Sequence, residues 1–384
     1  MSVYLDHNAS SPLHPEVLEE MLPYLTSAHG NASSLHQSGR FLRSAIETAR
    51  TRVAELVNVS PEQIIFTSGG TEANNLAFKG FLAMNPATTM MCSEIEHASV
   101  LHPFKQVAQV GCLTHFLPVT VDGVTDVDVS KHLIQQHSPD LLSLQMANNE
   151  TGVIQPVEQI ARFAHANGVS IVHTDATQAI GKIAVDFQQL DVDMMTLSAH
   201  KFQGPQSVGA LIVKSATLMT PLLTGGLQES GRRAGTENVA MLVGLGKAAQ
   251  LARIKLQEKQ LTLLELRRYF EQQLAGIAGV EVFGANSERL PNTSYFAIPY
   301  YHGETLLMQL DKEGFELASG SACHSEVTLP SHVLSAMGVD EDLALNAVRV
   351  SFGMDNTRQQ IDQLIGTLND LINQLPAVMR QVAN

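Results

Sequence analysis

The chain is poor in the features that would place it outside the cell, in a membrane or on nucleic acid. It has three cysteines, Cys92, Cys112 and Cys323, in 384 residues. They are odd in number and widely spaced, so reduced thiols in a cytoplasmic chain are expected rather than a disulfide framework. No run approaches the roughly 20 apolar residues that a membrane-spanning helix requires, so no membrane segment is expected. The opening residues, "MSVYLDHNAS", lack a basic stretch followed by an apolar one, and no signal peptide is expected. Basic residues are few: 24 Lys and Arg stand against 38 Asp and Glu, for a net charge of -14 with no basic block. Nucleic-acid binding needs a lysine and arginine footprint, so that class is excluded. An acidic surface suits solubility or a basic protein partner. Neither His-x-x-x-His nor Cys-x-x-Cys occurs, despite 15 histidines, and no dedicated metal site is expected.

What is present is a large supply of core. Hydrophobic residues make up 44% of a chain long enough for two domains of ordinary size. From about residue 60 to 215, short apolar runs alternate with helix-like stretches. The runs are "IIFTS", "TMMCS", "LTHFLPV", "DLLSLQM", "SIVHTD", "DMMTLS" and "VGALIVK". Between them, "VEQIARFAHANG" places Val157, Ile160, Ala161 and Ala164 on one helical face and stops at Gly168. Such alternation predicts an α/β fold, a mostly parallel sheet with helices on both faces. Ligands then bind at the carboxyl ends of the strands. The charged stretch from about Met241 to Ile277 predicts a long helix bridging to a second unit. Strand candidates "VEVFG", "NTSYFAI", "FELAS" and "AVRVSFG" follow, mixed with helices, and predict a smaller α+β domain.

The chemistry gathers at the ends of the apolar runs. In "TLSAHKFQG", Lys201 comes directly after a run ending at Leu197, between His200 and Phe202. A lysine at a strand mouth can be a partly desolvated amine with a lowered pKa, the kind that serves as a nucleophile toward carbonyls. The competing reading is a lysine whose stem lies on apolar surface and whose head stays in water. "IIFTSGGTEANN" gives a strand, Gly69 and Gly70, then a helix starting near Thr71, whose free amides favour phosphate. "SIVHTDATQ" puts Asp175 and Gln178 at a strand end, although a helix cap would also use Asp175. "SAHK" adds Ser198 and His200, "CSEIEHASV" adds His97, and "MANNETG" adds Asn149. A lysine, an aspartate, a phosphate cradle and a histidine at neighbouring strand ends are together what pyridoxal phosphate requires.

The sequence also resembles a known family, nearly end to end. The motifs that carry the resemblance are "YLDHNASSPLHPEV", "GNASSLHQSGR", "FTSGGTEANN", "NNETGVIQP", "HTDATQAIGK", "SAHKFQGPQSVGAL", "GRRAGTENV", "LPNTSYF", "SGSACHS" and "VRVSFG". They are similar to those of cysteine desulfurases of the NifS/IscS type, within the class V aminotransferase group. The resemblance implies a pyridoxal 5'-phosphate enzyme of fold type I with a seven-stranded sheet. Its large domain would span residues 16–258. Residues 1–15 and 259–384 would form the small domain carrying the reactive-cysteine loop. It implies a cytoplasmic homodimer that converts L-cysteine to L-alanine and passes the sulfur to an acceptor protein, such as an iron-sulfur scaffold or a sulfur carrier. It implies that Lys201 links the cofactor, that His97 stacks on its ring with an acid-base role, and that Asp175 pairs with its pyridine nitrogen. Gln178 and Asn149 would lie on the phenolic-oxygen side, with Asn148 the alternative if the asparagine pair is misaligned. Gly70, Thr71, Ser198 and His200 would hold the phosphate, and Thr236 would reach the phosphate of the partner subunit. Arg349 would bind the substrate carboxylate as a bidentate fork; without the resemblance it reads as a surface salt bridge.

Cys323 separates a desulfurase from an aminotransferase, which needs no cysteine. "ASGSACHSEVTLP" surrounds it with small and polar residues, which predicts a mobile loop rather than a packed core thiol. Cys92, inside a strand-like run, and Cys112, just before one, suit packing instead. The chain departs from the family pattern at His324 and Ala199 and in ending at "LPAVMRQVAN", without the longer tail of scaffold-docking members. These departures bear on the sulfur acceptor rather than on the chemistry. The rival readings are a selenocysteine lyase, a class V aminotransferase with an incidental Cys323, and a catalytically silent sulfur-trafficking protein.

Overall fold

A computed structural model describes residues 2–86, 88–215, 219–299, 301–320 and 329–374. Cys323 and His324 lie outside the described residues. The first strand, β1 (Val3–Tyr4), belongs to the small α+β region. Seven strands then build the central sheet: β2 (Ile64–Thr67), β3 (Thr89–Ser93), β4 (Leu113–Leu117), β5 (Leu141–Ser143), β6 (Ile171–Asp175), β7 (Met194–Ser198) and β8 (Gly209–Val213). Their order is β2-β8-β7-β6-β5-β3-β4. All neighbours are parallel except β8, which runs antiparallel to both β2 and β7. Each of the seven apolar runs forms a strand of this sheet. Their character explains it: in β2, β5, β6, β7 and β8 every residue is buried, as expected where helices cover both faces of a parallel sheet.

The helix read in "VEQIARFAHANG" spans Val157–Ala166 and buries Val157, Ile160, Ala161 and Ala164. The predicted long bridge is instead two helices, Val239–Ile254 and Leu256–Leu274, meeting at Lys255 with φ -97° and ψ 8°. The break follows from packing, because the two segments serve different cores. Leu245, Ala248 and Ala249 join the core of the large sheet, and Gly246 lies so close to the helix Gln37–Val57 that a Cβ would sit 2.5 Å from Ala49 Cα. Leu263, Leu266 and Phe270 instead pack with Leu5, Phe296, Val348 and Phe352. One straight helix could not turn its apolar stripe toward both.

The second core is layered on β9 (Glu281–Val282), β10 (Thr293–Ala297), β11 (Phe315–Glu316) and β12 (Ala347–Ser351). β10 pairs antiparallel with β9 and β12, and β11 pairs parallel with β1. Phe270 meets Phe296 and Phe352 edge-on, at 5.6 and 5.7 Å between ring centres. The N-terminal segment therefore joins the C-terminal elements, although more than 300 residues separate them in sequence. Cys92 and Cys112 are buried, as their sequence context predicts. Among the described residues no helix is long and apolar enough to cross a membrane. Nor does any group of three or more His, Cys, Asp or Glu among them form a metal cluster.

Candidate active site

The carboxyl ends of β3, β5, β6 and β7 open on one cavity of about 270 Å³. Its lining includes Gly70, Thr71, His97, Asn149, Asp175, Gln178, Ser198, His200 and Lys201. Nine residues named from the sequence thus come together, on segments up to 131 positions apart, which is Lys201 minus Gly70. Each stands where a strand runs out. Asp175 and Ser198 end β6 and β7, and Lys201 closes the short turn Ala199–Lys201 that follows. His97 caps the helix Ala98–Gln109 after β3. Gly70 opens the helix Gly70–Met84 after β2.

One end of the cavity is shaped by two glycines. Gly69 has φ 146°, a conformation that side chains rarely adopt. At Gly70 an added Cβ would meet Thr177 Oγ1 at 3.3 Å and Ser198 Cβ at 3.6 Å. The first amides of the helix Gly70–Met84 have no partner within the helix and carry the positive end of its dipole. Thr177 Oγ1 is buried without a partner and lies beside them. The helix opening and the hydroxyls of Ser198, Thr177 and Thr71 together suit an anion.

Asp175 is held as an acceptor at both oxygens. Oδ1 takes the backbone N–H of Thr177 at 2.9 Å and Oδ2 takes Asn74 Nδ2 at 2.8 Å. The same Asn74 nitrogen donates to Ser99 Oγ at 2.8 Å. Ser99 in turn contacts His97 Nδ1 through its backbone N–H at 3.1 Å and its hydroxyl at 2.7 Å. A ring nitrogen that accepts from an amide is unprotonated, so neutral His97 carries its hydrogen on Nε2. Burial lowers the His97 pKa, with Lys201 and His102 acting in the same direction and Asp175 against them. His200 is pushed down to about 4, by burial first and by Lys201 second. Neither ring is a cation at neutral pH.

Lys201 is the central group. Its amine donates to Asn8 O at 2.7 Å and Ala9 O at 2.8 Å. Burial and the nearby Arg349 charge lower its pKa to about 8, against the opposing pull of Asp6 and Asp175. An amine with that pKa is neutral in a useful fraction at physiological pH. The lowered pKa and the two carbonyl partners of the amine favour the desolvated reading of Lys201.

The structure brings one of the two asparagines to the cavity. Asn149 lines the cavity. Asn148 is fully buried and caps its own turn, accepting from Glu150 N and Thr151 N at 2.9 Å each and donating to Ile95 O at 3.1 Å. Arg349, on β12, is only 6% exposed and is not a surface residue. Nη1 donates to Asn149 O at 2.9 Å and Nη2 pairs with Asp6 Oδ1 at 2.6 Å, while Nε is buried and unpartnered. Arg349 thus abuts the cavity through Asn149 without lining it. Thr236 is not brought in: it is exposed and lines a separate depression with Ser68, Arg233 and Glu237. Several residues of the site escape the sequence reading, namely Asn8, Asn74, Ser99, Gln145, Thr177 and Lys182. Polar residues in otherwise apolar runs, such as Lys182 in "QAIGKIAV", are the signal that could have found them.

Known proteins share this architecture. Residues 3–364 match the family model described as "Aminotransferase class-V". The chain is 41% identical over 379 residues to a protein of Dictyoglomus turgidum named cysteine desulfurase IscS, covering 98% of this chain and 96% of that one. It is 42% identical over 380 residues to a cysteine desulfurase of Cereibacter sphaeroides, covering 98% and 97%. Among solved structures it is similar to a NifS-like protein, with a TM-score of 0.92 and 34% identity over 98% of this chain and 100% of that one. The NifS-like protein of Rickettsia africae gives 0.89 and 32% over 97% and 100%.

Proposed function

The chain belongs to the aminotransferase class-V family, and from that premise we infer that it is a cysteine desulfurase. The overall change is L-cysteine plus the Cys323 thiol giving L-alanine plus a Cys323 persulfide. One carbon–sulfur bond breaks, one sulfur–sulfur bond forms, and a proton ends on the carbon that lost the sulfur. The observation that carries the reading is a desolvated amine, a doubly hydrogen-bonded carboxylate and an anion cradle on a single cavity.

These residues fit pyridoxal 5'-phosphate. The buried, unpartnered Thr177 hydroxyl and the open amides of the Gly70–Met84 helix offer donors that a phosphate would satisfy. Gly70, Thr71, Ser198 and His200 would hold that phosphate. Asp175 would hold the pyridine nitrogen, Asn149 and Gln178 the phenolic oxygen, and Lys201 the aldehyde carbon. When bound there, the cofactor supplies an electron sink for charge developing at the substrate α-carbon.

The remaining work belongs to the protein. Neutral Lys201 takes the α-proton, which its lowered pKa permits. Neutral His97 offers Nε2–H and an apolar ring face, held in place by the Asp175–Asn74–Ser99 chain. Arg349 binds the substrate carboxylate; exchanging the Asp6 carboxylate for that of the substrate keeps its buried charge paired. The thiolate of Cys323 attacks the substrate sulfur and retains it. An acceptor protein, such as an iron-sulfur scaffold or a sulfur carrier, then receives it. The functional division into residues 16–258, and 1–15 with 259–384, is proposed on two of the apolar cores, one drawn from residues 17–252 and the other from Leu5 and residues 263–371.

The reading is tested by incubating purified protein with L-cysteine. Alanine should form in step with sulfur transferred, and the Cys323 peptide should gain one sulfur atom in mass. Transamination of an α-keto acid without sulfur release would instead make this an aminotransferase. Turnover confined to selenocysteine would make it a lyase for that substrate.

We also propose a homodimer whose sites borrow Thr236, because that residue is exposed on the isolated chain and does not line its own cavity. Mixing Lys201→Ala protomers with Thr236→Ala protomers should then restore activity. Each mixed dimer regains one site with both residues intact. If mixtures never exceed the parent variants, each site uses its own Thr236 or none.

A further inference from the structure

Behind the cavity wall lies a buried lysine that the mechanism leaves unused. Lys182 is 3% exposed. Its amine donates to Gln178 Oε1 at 2.7 Å and to Asn8 Oδ1 at 2.8 Å. Gln178 Nε2 donates in turn to Asn8 O at 3.0 Å, the same carbonyl that receives Lys201 Nζ at 2.7 Å. These contacts fix the chemistry of each end. A backbone carbonyl accepts only, so the Gln178 atom facing Asn8 O is the nitrogen. The end facing Lys182 is then the oxygen, whether the lysine is charged or neutral, because either form can donate to both oxygens. Asn8 is fixed likewise: Oδ1 also accepts from Asn292 Nδ2 at 3.1 Å, and Nδ2 donates to Thr293 Oγ1 at 2.9 Å and Asn149 O at 3.2 Å.

We propose that Lys182 is a positioning residue that locks the Gln178 amide so that an N–H, not the carbonyl oxygen, is what the cavity receives. With its oxygen turned toward Lys182 and one N–H on Asn8 O, Gln178 keeps its second N–H free to donate. Gln178 lines the cavity, so that hydrogen is available to an anionic oxygen there. Without Lys182 only Asn8 O opposes a flip of the amide, and the flipped amide presents a lone pair, which repels the same oxygen. The pairing is local, since Gln178 and Lys182 lie four residues apart in a turn that Gly181 bends at φ 72° and that Ile180 N to Ala176 O and Lys182 N to Ala179 O close at 3.0 Å each. Burying an amine costs free energy, and here other cations add to it: Lys201, Lys259 and Arg349 all depress the Lys182 pKa beyond the effect of burial. His7 also lies within the influence of Lys182 and is pushed down to about 4, chiefly by its own burial. Among the described residues no acidic side chain bonds the amine; its two partners are the side-chain oxygens of Gln178 and Asn8.

The inference rests on pyridoxal phosphate as the occupant, with its phenolic oxygen beside Gln178. The test reads the pH midpoint of the visible absorbance of cofactor-loaded protein. A donor to an anionic oxygen favours the deprotonated state, so losing it should raise the midpoint by about one unit, the scale of one hydrogen bond to a charged group. Lys182→Met is expected to raise it so, and Gln178→Leu to raise it similarly. The double variant should rise no further than Gln178→Leu alone, because Lys182 acts through that amide. Circular dichroism and Tm establish folding. If Lys182→Met does not fold, Lys182→Gln, which keeps one donor, enters the same cycle. An unchanged midpoint in a folded Lys182 variant, or a shift that adds fully to that of Gln178→Leu, overturns the proposal. Failure of the wild-type protein to capture the cofactor would instead overturn the functional reading beneath it.

Discussion

Replacing Lys201 by alanine is expected to end covalent capture of pyridoxal phosphate and to lower alanine formation from L-cysteine by at least about 10²- to 10⁴-fold, the range of a positioned proton-transfer group. Lys201 is the lysine that lines the cavity, and the nearby Lys182 amine is held by Gln178 and Asn8. Among the described lining residues no second amine stands ready to replace it. The same amine sets a pH signature in the wild-type protein. A neutral amine is the form that condenses with an aldehyde, and burial brings the Lys201 pKa down to about 8. The rate of cofactor capture by the apoprotein should therefore climb up to about pH 8 and level off above it, where an ordinary lysine with a pKa of about 10.4 would still be gaining. Borohydride reduction followed by peptide mapping locates the captured cofactor. A Lys201→Ala protein that still carries it covalently, at wild-type stoichiometry, would exclude Lys201 as the attachment point.

The second large effect is expected at Cys323. Cys323→Ser should leave the cofactor absorbance of the loaded protein intact, because no contact with the cofactor is assigned to the thiol. Desulfuration should fall by about 10³-fold or more, the scale on which removing a nucleophile acts in other enzymes. The reason is chemical: a thiolate is nucleophilic and polarisable near neutral pH and can hold a second sulfur, and a hydroxyl offers neither property. The readouts are alanine release and the mass of the peptide spanning residue 323. Wild-type alanine release from Cys323→Ser would mean that sulfur leaves by another route. The neighbouring His324 adds a finer readout. If its imidazolium lowers the thiol pKa, His324→Ala moves the alkylation-rate profile of Cys323 to higher pH.

Much of the fold is legible in the order of residues alone. Seven apolar runs predict seven strands, because a strand buried on both faces needs continuous hydrophobic sequence and little else. The bridging helix reads as one piece along the chain and is two in the fold. Helix propensity is continuous through Lys255, and only the direction of two separate cores requires the break there. The site residues at strand ends are legible for a related reason. A strand end followed by a turn is a local signal, and a polar residue placed there faces the ligand edge of the sheet.

The sequence by itself determined the element types, the chemical groups at the strand mouths and the acidic charge balance of the chain. The tertiary structure decided the pairings. It brought Asn149 rather than Asn148 to the cavity lining, buried Arg349 against Asp6, left Thr236 outside that lining and tied Lys182 to Gln178 and Asn8. Asn8 is 170 residues from Gln178 and 284 from Asn292, yet all three share one hydrogen-bonded cluster. Periodicity and capping act over a few residues and can be read along the chain. Desolvation, amide orientation and ion pairing depend on which distant groups the fold brings within about 3 Å, the reach of a hydrogen bond.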